Sequence, residues 1–219
     1  MRLKRVDGSV ADFHARQIPA DLAEAETWLF VPERPTLVLG SAQDESVTDP
    51  VAVAAASVDV VRRRSGGGAV YVDPERSLWL DVVLPRHDRL WTDDVRRSPL
   101  WLGAAWSRAL AAVGIEAELY DEGLEKTPWG RLVCFAAMGP GELLVGGRKA
   151  VGISQRRTRE GARFQCIVYD RWDPRDVLDL LTLSADDRAR ASADLAEVAV
   201  GVGDLLLDLE DAILAELLG

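Results

Sequence analysis

Cysteine and histidine are scarce in this chain of 219 residues, with two of each. Cys134 and Cys166 cannot build a disulfide framework. His14 and His87 stand in unrelated contexts, so no metal site is expected. For the same reason no Ser-His-Asp or Cys-His arrangement can be assembled. No segment approaches the roughly 20 consecutive apolar residues of a membrane span. The opening Met1-Arg2-Leu3-Lys4-Arg5-Val6-Asp7 runs into no apolar signal region, which predicts a cytoplasmic protein without membrane contact. Internal repeats and low-complexity blocks are missing as well.

What is present is a globular composition. Hydrophobic residues make up 48% of the chain, enough for a sizeable core in one large domain or one domain with a small appendage. The formal charge of −10 disfavours nucleic acid as a partner. From Asp170 to Gly219 there are 13 acidic against 4 basic residues, so nearly all of the excess acidity belongs to the tail. The rest of the chain is close to neutral and leaves room for a small anionic ligand.

Hydrophobic periodicity lays out the elements. Pro19 to Phe30 reads as a short helix, with Leu22, Ala25, Glu26 and Leu29 at helical spacing. Pro35 to Gly40 reads as a buried strand entered from a proline. Thr48-Asp49-Pro50 opens a helix through the Ala/Val run to Ser57. Strands follow at Val58 to Val61, Ala69 to Val72 and Leu78 to Leu84, with Asp73-Pro74-Glu75-Arg76 as a turn. Ser98-Pro99 starts a helix to about Val113, stopped by Gly114. Ile115 to Tyr120 reads as a strand. Leu143 to Val145, Gly146-Gly147 and Arg148 to Ser154 spell a hairpin with a two-residue glycine turn. Phe164 to Tyr169 is another strand, and three amphipathic helices close the chain. Many strands joined by hairpins predict an α/β (α+β) fold with a mixed, largely antiparallel sheet and packed helices. Residues 1–170 form the main unit of this reading, and 171–219 an acidic helical segment packed on it. Neither the dinucleotide nor the P-loop glycine pattern is matched.

Arg62-Arg63-Arg64-Ser65-Gly66-Gly67-Gly68-Ala69-Val70-Tyr71 is the stretch hardest to explain by packing. Glycines let a ligand approach the backbone, and guanidiniums offer forked donors for phosphate or carboxylate; read locally, the stretch fits equally well as a solvated surface turn. Lys149, one residue past a tight turn, either points inward, where an ammonium must meet an anion or strong acceptors, or lies in solvent at a strand edge. Gly152 makes room for something that approaches the backbone. Cys134 is the one nucleophile candidate beside small-residue sequence; its alternative is a buried small hydrophobe. Cys166, inside a strand, reads as inert.

Three separated pieces then agree. Pro35 to Gln43, the Arg-Ser-Gly-Gly-Gly-Ala-Val stretch and Gly147-Arg148-Lys149-Ala150-Val151-Gly152-Ile153-Ser154-Gln155 together resemble the lipoate-protein ligase A family, within the biotin/lipoate protein ligase superfamily. The resemblance covers about residues 20 to 170. It implies a catalytic domain related to class II aminoacyl-tRNA and biotin synthetases, in which Arg63, Ser65, Gly66, Gly67, Gly68, Tyr71 and Gly152 line the acyl and phosphate site and Lys149 holds the acyl carbonyl. Two family histidines are missing: the His-Asp after Val-Tyr is Val72-Asp73 here, and the later His-Gly stands where this chain has Phe164-Gln165-Cys166. The activity implied is attachment of lipoate or octanoate to a lysine of a lipoyl domain through an acyl-adenylate, with ATP and Mg²⁺. The acceptors would be lipoyl domains of 2-oxoacid dehydrogenases or the glycine cleavage H protein.

A branch of the same superfamily carries a nucleophilic cysteine in a Cys-Phe segment upstream of the lysine motif, and Cys134-Phe135 is similar in placement. By that alternative the protein is an ATP-independent octanoyltransferase that takes the acyl group from acyl carrier protein onto Cys134, with Lys149 as its base and no cofactor. A second alternative is a non-catalytic member that binds an acyl ligand or partner. Arg156, Arg157 and Arg159 are the expected docking residues, with the acidic tail packed away from them.

Overall fold

Alternation along one strand explains the layering of the molecule. The computed structural model describes residues 1–219. Its central strand β6 (Ser77–Pro85) is buried along its whole length. Leu78, Leu80, Val82 and Leu84 enter one hydrophobic cluster, while Trp79 and Val83 enter another on the opposite face. A strand covered on both sides must be apolar on both.

Around β6 runs a seven-stranded sheet. It comprises β1 (Arg2–Gly8), β2 (Glu26–Pro32), β6, β10 (Gly161–Tyr169), β9 (Arg148–Arg157), β8 (Leu143–Val145) and β7 (Glu118–Leu119), in that spatial order. Only the β1–β2 pair is parallel. A second sheet has β3 (Thr36–Leu39) between β4 (Asp59–Arg62) and β5 (Val70–Val72). The fold is therefore the expected α/β one with a largely antiparallel sheet.

Helices α3 (Leu100–Ala112) and α6 (Leu206–Leu218) pack on one face of the large sheet through Leu102, Trp106, Leu110, Leu209 and Ile213. On the other face lies the small sheet, which turns Val38, Val70 and Val72 inward. Its outer residues Leu37, Leu39 and Tyr71 meet α4 (Arg175–Leu178) and α5 (Ala185–Leu195) through Val177, Leu178 and Leu195. The molecule thus has four layers, helix, large sheet, small sheet and helix. No helix is long and apolar enough to cross a membrane.

Local signals account for most boundaries. Asp49 caps α2 (Pro50–Ala56), accepting from the amides of Val51 and Ala52, with Pro50 at the first helical position. Gly146 and Gly147 both have positive φ, +56° and +76°, as a two-residue hairpin turn needs. One expected element is corrected. The helix read over Pro19 to Phe30 is instead a loop followed by β2. Trp28 and Phe30 pack on one face and Leu29 on the other, a period of two that β1 and β6 enforce by pairing on both sides. The short helix α1 (Val10–Ala15), capped by Ser9, precedes this segment and covers the aromatic cluster of Phe13, Phe30 and Trp79.

Candidate active site

Between the two sheets is a narrow cavity of about 40 Å³. That is room for roughly three water-sized groups, a slot suited to a slim chain. Val38, Val70 and Val72 form its roof, and Trp79, Ile167 and Gly152 its floor. Cys134, Arg63, Ser154, Gln165 and His14 supply the polar lining.

The glycine loop is built around Arg63, which is only 5% exposed. Its guanidinium donates to the Gly66 carbonyl (2.7 Å from Nη2), to the Gly68 carbonyl (2.9 Å) and to Cys134 Sγ (3.4 Å). The arginine therefore folds the loop over itself and abuts the thiol. Gly67 is required there, since φ is +98° and a Cβ would lie 2.8 Å from Arg63 Nη2 and 3.2 Å from Cys134 Sγ. A Cβ on Gly68 would strike the backbone of Leu132 and Val133. Gly66 has open space around it and contributes its carbonyl. Ser65 stands beside the cavity, its hydroxyl 3.2 Å from both Ser154 Oγ and Gln165 Oε1.

Lys149 points inward and is 1% exposed. Its ammonium is 2.8 Å from Glu142 Oε2, 3.4 Å from the Cys134 carbonyl, and also donates to the Ala137 carbonyl. These three contacts tie the lysine to Glu142 and to the Cys134–Ala136 turn. Glu142 also accepts from the amides of Gly139 (2.7 Å) and Ile153 (3.1 Å). The backbone of Lys149 is bracketed in turn, its N–H donating to Val198 and its carbonyl accepting from Val200, each at 2.9 Å. Gly152 is the opening for Phe135, whose ring would lie 3.0 Å from a Cβ there.

Tyr71 is not brought to the cavity. Strand alternation turns it toward the α4–α5 layer while its neighbours Val70 and Val72 face inward. Cys166 is fully buried in the main core, where burial pushes its thiol well above the usual range. Both cysteines border the cavity, but only Cys134 has a charged partner there, Arg63. The expected docking arginines divide. Arg157 stacks on Trp91 at 4.0 Å and donates to the Thr92 carbonyl, and Arg159 pairs with Glu160, whereas Arg156 reaches only Gln17.

Sequence reasoning passed over a buried polar relay behind the cavity. Arg163 Nε is 2.5 Å from Asp81 Oδ2, Trp79 Nε1 donates to the other carboxylate oxygen, and Gln165 links Asp81 to His14. A lone carboxylate inside Leu78 to Leu84, and Arg163 with Gln165 two positions apart on one strand face, were the available signals.

The family model for the lipoyl protein ligase A/B catalytic domain matches residues 11–211. The chain belongs to that family. Membership makes it an enzyme that ligates or transfers lipoyl-type acyl groups. No curated protein matches the sequence. Among solved structures, a bipartite lipoate protein ligase of the archaeon Thermoplasma acidophilum, described with its E2 lipoyl domain, is similar over 98% of this chain and 81% of its own, at 16% identity and a TM-score of 0.73. A lipoate-protein ligase A bound with ATP is similar over 98% and 83%, at 16% identity and 0.65. A lipoate complex of a Plasmodium falciparum protein is similar over 99% of this chain but 61% of its own, at 13% identity and 0.66. At such identities these likenesses describe the fold, and the family match carries the assignment. The match extends through α5 and into α6.

Proposed function

We propose that this family member transfers a lipoyl or octanoyl group through a thioester on Cys134. The observation that carries the reading is the guanidinium of Arg63 donating to Cys134 Sγ in the wall of a narrow apolar cavity. Sulfur gains negative charge whenever a thioester is made or broken, and a fixed cation beside it stabilises that charge. Lys149 holds the Cys134 turn from below and so positions the sulfur.

The reaction has two steps. Cys134 Sγ attacks the carbonyl carbon of a donor thioester such as octanoyl-acyl carrier protein, the bond to the carrier sulfur breaks, and the cysteine proton leaves with the carrier thiol. The amine of an acceptor lysine then attacks the acyl-Cys134 carbonyl. An amide forms, the C–S bond breaks, and one amine proton returns to the sulfur. The acceptor would be a lipoyl domain of a 2-oxoacid dehydrogenase or the glycine cleavage H protein, and Arg156 the arginine left free to meet it.

A second reading, ATP-dependent ligation through an acyl-adenylate, has one observation in its favour. Arg64 and Arg156 lie near enough to repel, and burial with Arg64 and Arg163 holds Arg156 below the ordinary arginine range. Such a pair would hold the phosphates of ATP with Mg²⁺, which would supply the activation of the carboxylate. Against it, an adenylate phosphate would have to take Lys149 from Glu142. Incubation with octanoyl-acyl carrier protein and no ATP decides between the two. Intact mass should show one octanoyl group that hydroxylamine removes and that Cys134→Ala never acquires. A Cys134→Ala protein that still attaches lipoate with ATP would sink the thioester reading and leave ligation.

A further inference from the structure

His14, in the last turn of α1, is 7% exposed and borders the cavity, yet its Nε2 is buried without a partner in the protein. The relay behind it fixes which nitrogen carries the proton. Burial raises the Asp81 carboxyl, but Arg163 Nε at 2.5 Å from Oδ2 and Trp79 Nε1 at 2.7 Å from Oδ1 donate to both of its oxygens, so the end of the Gln165 amide facing Oδ2 at 3.5 Å is the NH₂. The other end, Oε1, accepts from Ser65. The same NH₂ lies 3.3 Å from His14 Nδ1, which is therefore an acceptor, and the ring proton sits on Nε2. Trp79 lies tilted against the imidazole at a centroid distance of 5.2 Å. A buried N–H with no acceptor is costly, and a chain with one polar atom entering this slot would relieve that cost.

We propose that His14 Nε2–H is the hydrogen-bond donor for the carbonyl oxygen of the acyl group that occupies the cavity. The proposal rests on the acyl-cavity reading above and adds the residue that registers the chain within it. An acyl chain offers one strong acceptor, its carbonyl oxygen, and the remaining lining near His14 is apolar or already paired. Burial, with Arg163, Arg63 and Arg64, keeps the imidazole neutral, holding its pKa down to about 3. A neutral donor can hold a carbonyl oxygen without surrendering its proton.

With only two histidines in the chain, ¹⁵N-histidine labelling isolates the signal. The probes are octanamide, which is neutral and carries the carbonyl, and n-octane delivered from the vapour, which lacks it. In the wild-type protein His14 should show the Nε2–H tautomer without titrating near neutral pH. Octanamide should move that N–H proton downfield, and octane should not. His14→Phe should weaken octanamide binding by about 5- to 30-fold and leave octane binding intact, as expected for a single hydrogen bond. If both probes bind with no change at His14 Nε2–H, the donor assignment is overturned while the acyl cavity stands. If neither binds, the cavity reading falls with it. Should His14→Phe fail to fold, the ¹⁵N measurement on the wild-type protein still decides.

Discussion

Replacing Glu142 by Gln should damage this protein more than its small change in shape suggests. The carboxylate accepts from Lys149 Nζ and the Gly139 amide on one oxygen and from the Ile153 amide on the other. Glutamine keeps one acceptor and brings two donors, so an N–H must face either the Ile153 amide or the pair formed by Gly139 and Lys149. The substitution also leaves an ammonium at 1% exposure without its counter-charge. Breaking a buried ion pair from one side costs about 3–5 kcal/mol. In a domain of this size about 1 kcal/mol corresponds to roughly 2–4 °C, so the midpoint should fall by about 6–20 °C. Urea unfolding and calorimetry on Glu142→Gln, Lys149→Met and the double variant form a closed cycle. The double variant should recover at least about 1 kcal/mol relative to the sum of the singles, because neither charge is then left alone. A Glu142→Gln protein within about 1 kcal/mol of wild type, or an additive cycle, would refute the claim that Glu142 neutralises Lys149 in the folded state.

Other perturbations address the cavity. His14 is held at about 3 in the folded protein, below its ordinary value, so the unfolded chain takes up its proton first. Its contribution is complete above about pH 6.5 and is lost as pH falls toward about 3; urea unfolding of wild type against His14→Gln should show the difference shrink by about 2 kcal/mol between about pH 7 and pH 5. Gly67→Ala must force a positive φ and displace either Arg63 or the thiol, costing about 1–3 kcal/mol and slowing formation of the acyl-Cys134 adduct in a single-turnover assay. Arg63→Lys keeps the charge but cannot reproduce the fork to Gly66, Gly68 and Cys134; adduct formation should slow by about 10-fold or more, and an unchanged rate would remove Arg63 from the mechanism.

The parts of this structure that were legible in the sequence are those whose cause is local. Asp49-Pro50 announces α2, Gly146-Gly147 announces the hairpin, and the glycine triplet announces a backbone brought close to something. Pro19 to Phe30 misled because a short apolar run fits either period, and only pairing with β1 and β6 settles it. Tyr71 was drawn into the site by its neighbours in the motif, although alternation sends it to the opposite face of β5. His14 was invisible for a different reason. What fixes its proton is Gln165, 151 positions along the chain, which is itself oriented by Asp81 and Arg163. Lys149 was found by its motif, while its partner Glu142 becomes apparent only when the β8–β9 hairpin folds back across it.

Lys149 has its own N–H and C=O answered by Val198 and Val200, residues about 50 positions further along the chain. The glycine loop, the thiol and the lysine are all synthesised long before that segment emerges from the ribosome. A nascent chain can form the Gly146-Gly147 hairpin early, but the two backbone contacts to Lys149 wait for Val198 and Val200. A version cut short after α5 would carry every motif residue and still lack the two backbone contacts that hold Lys149 in register.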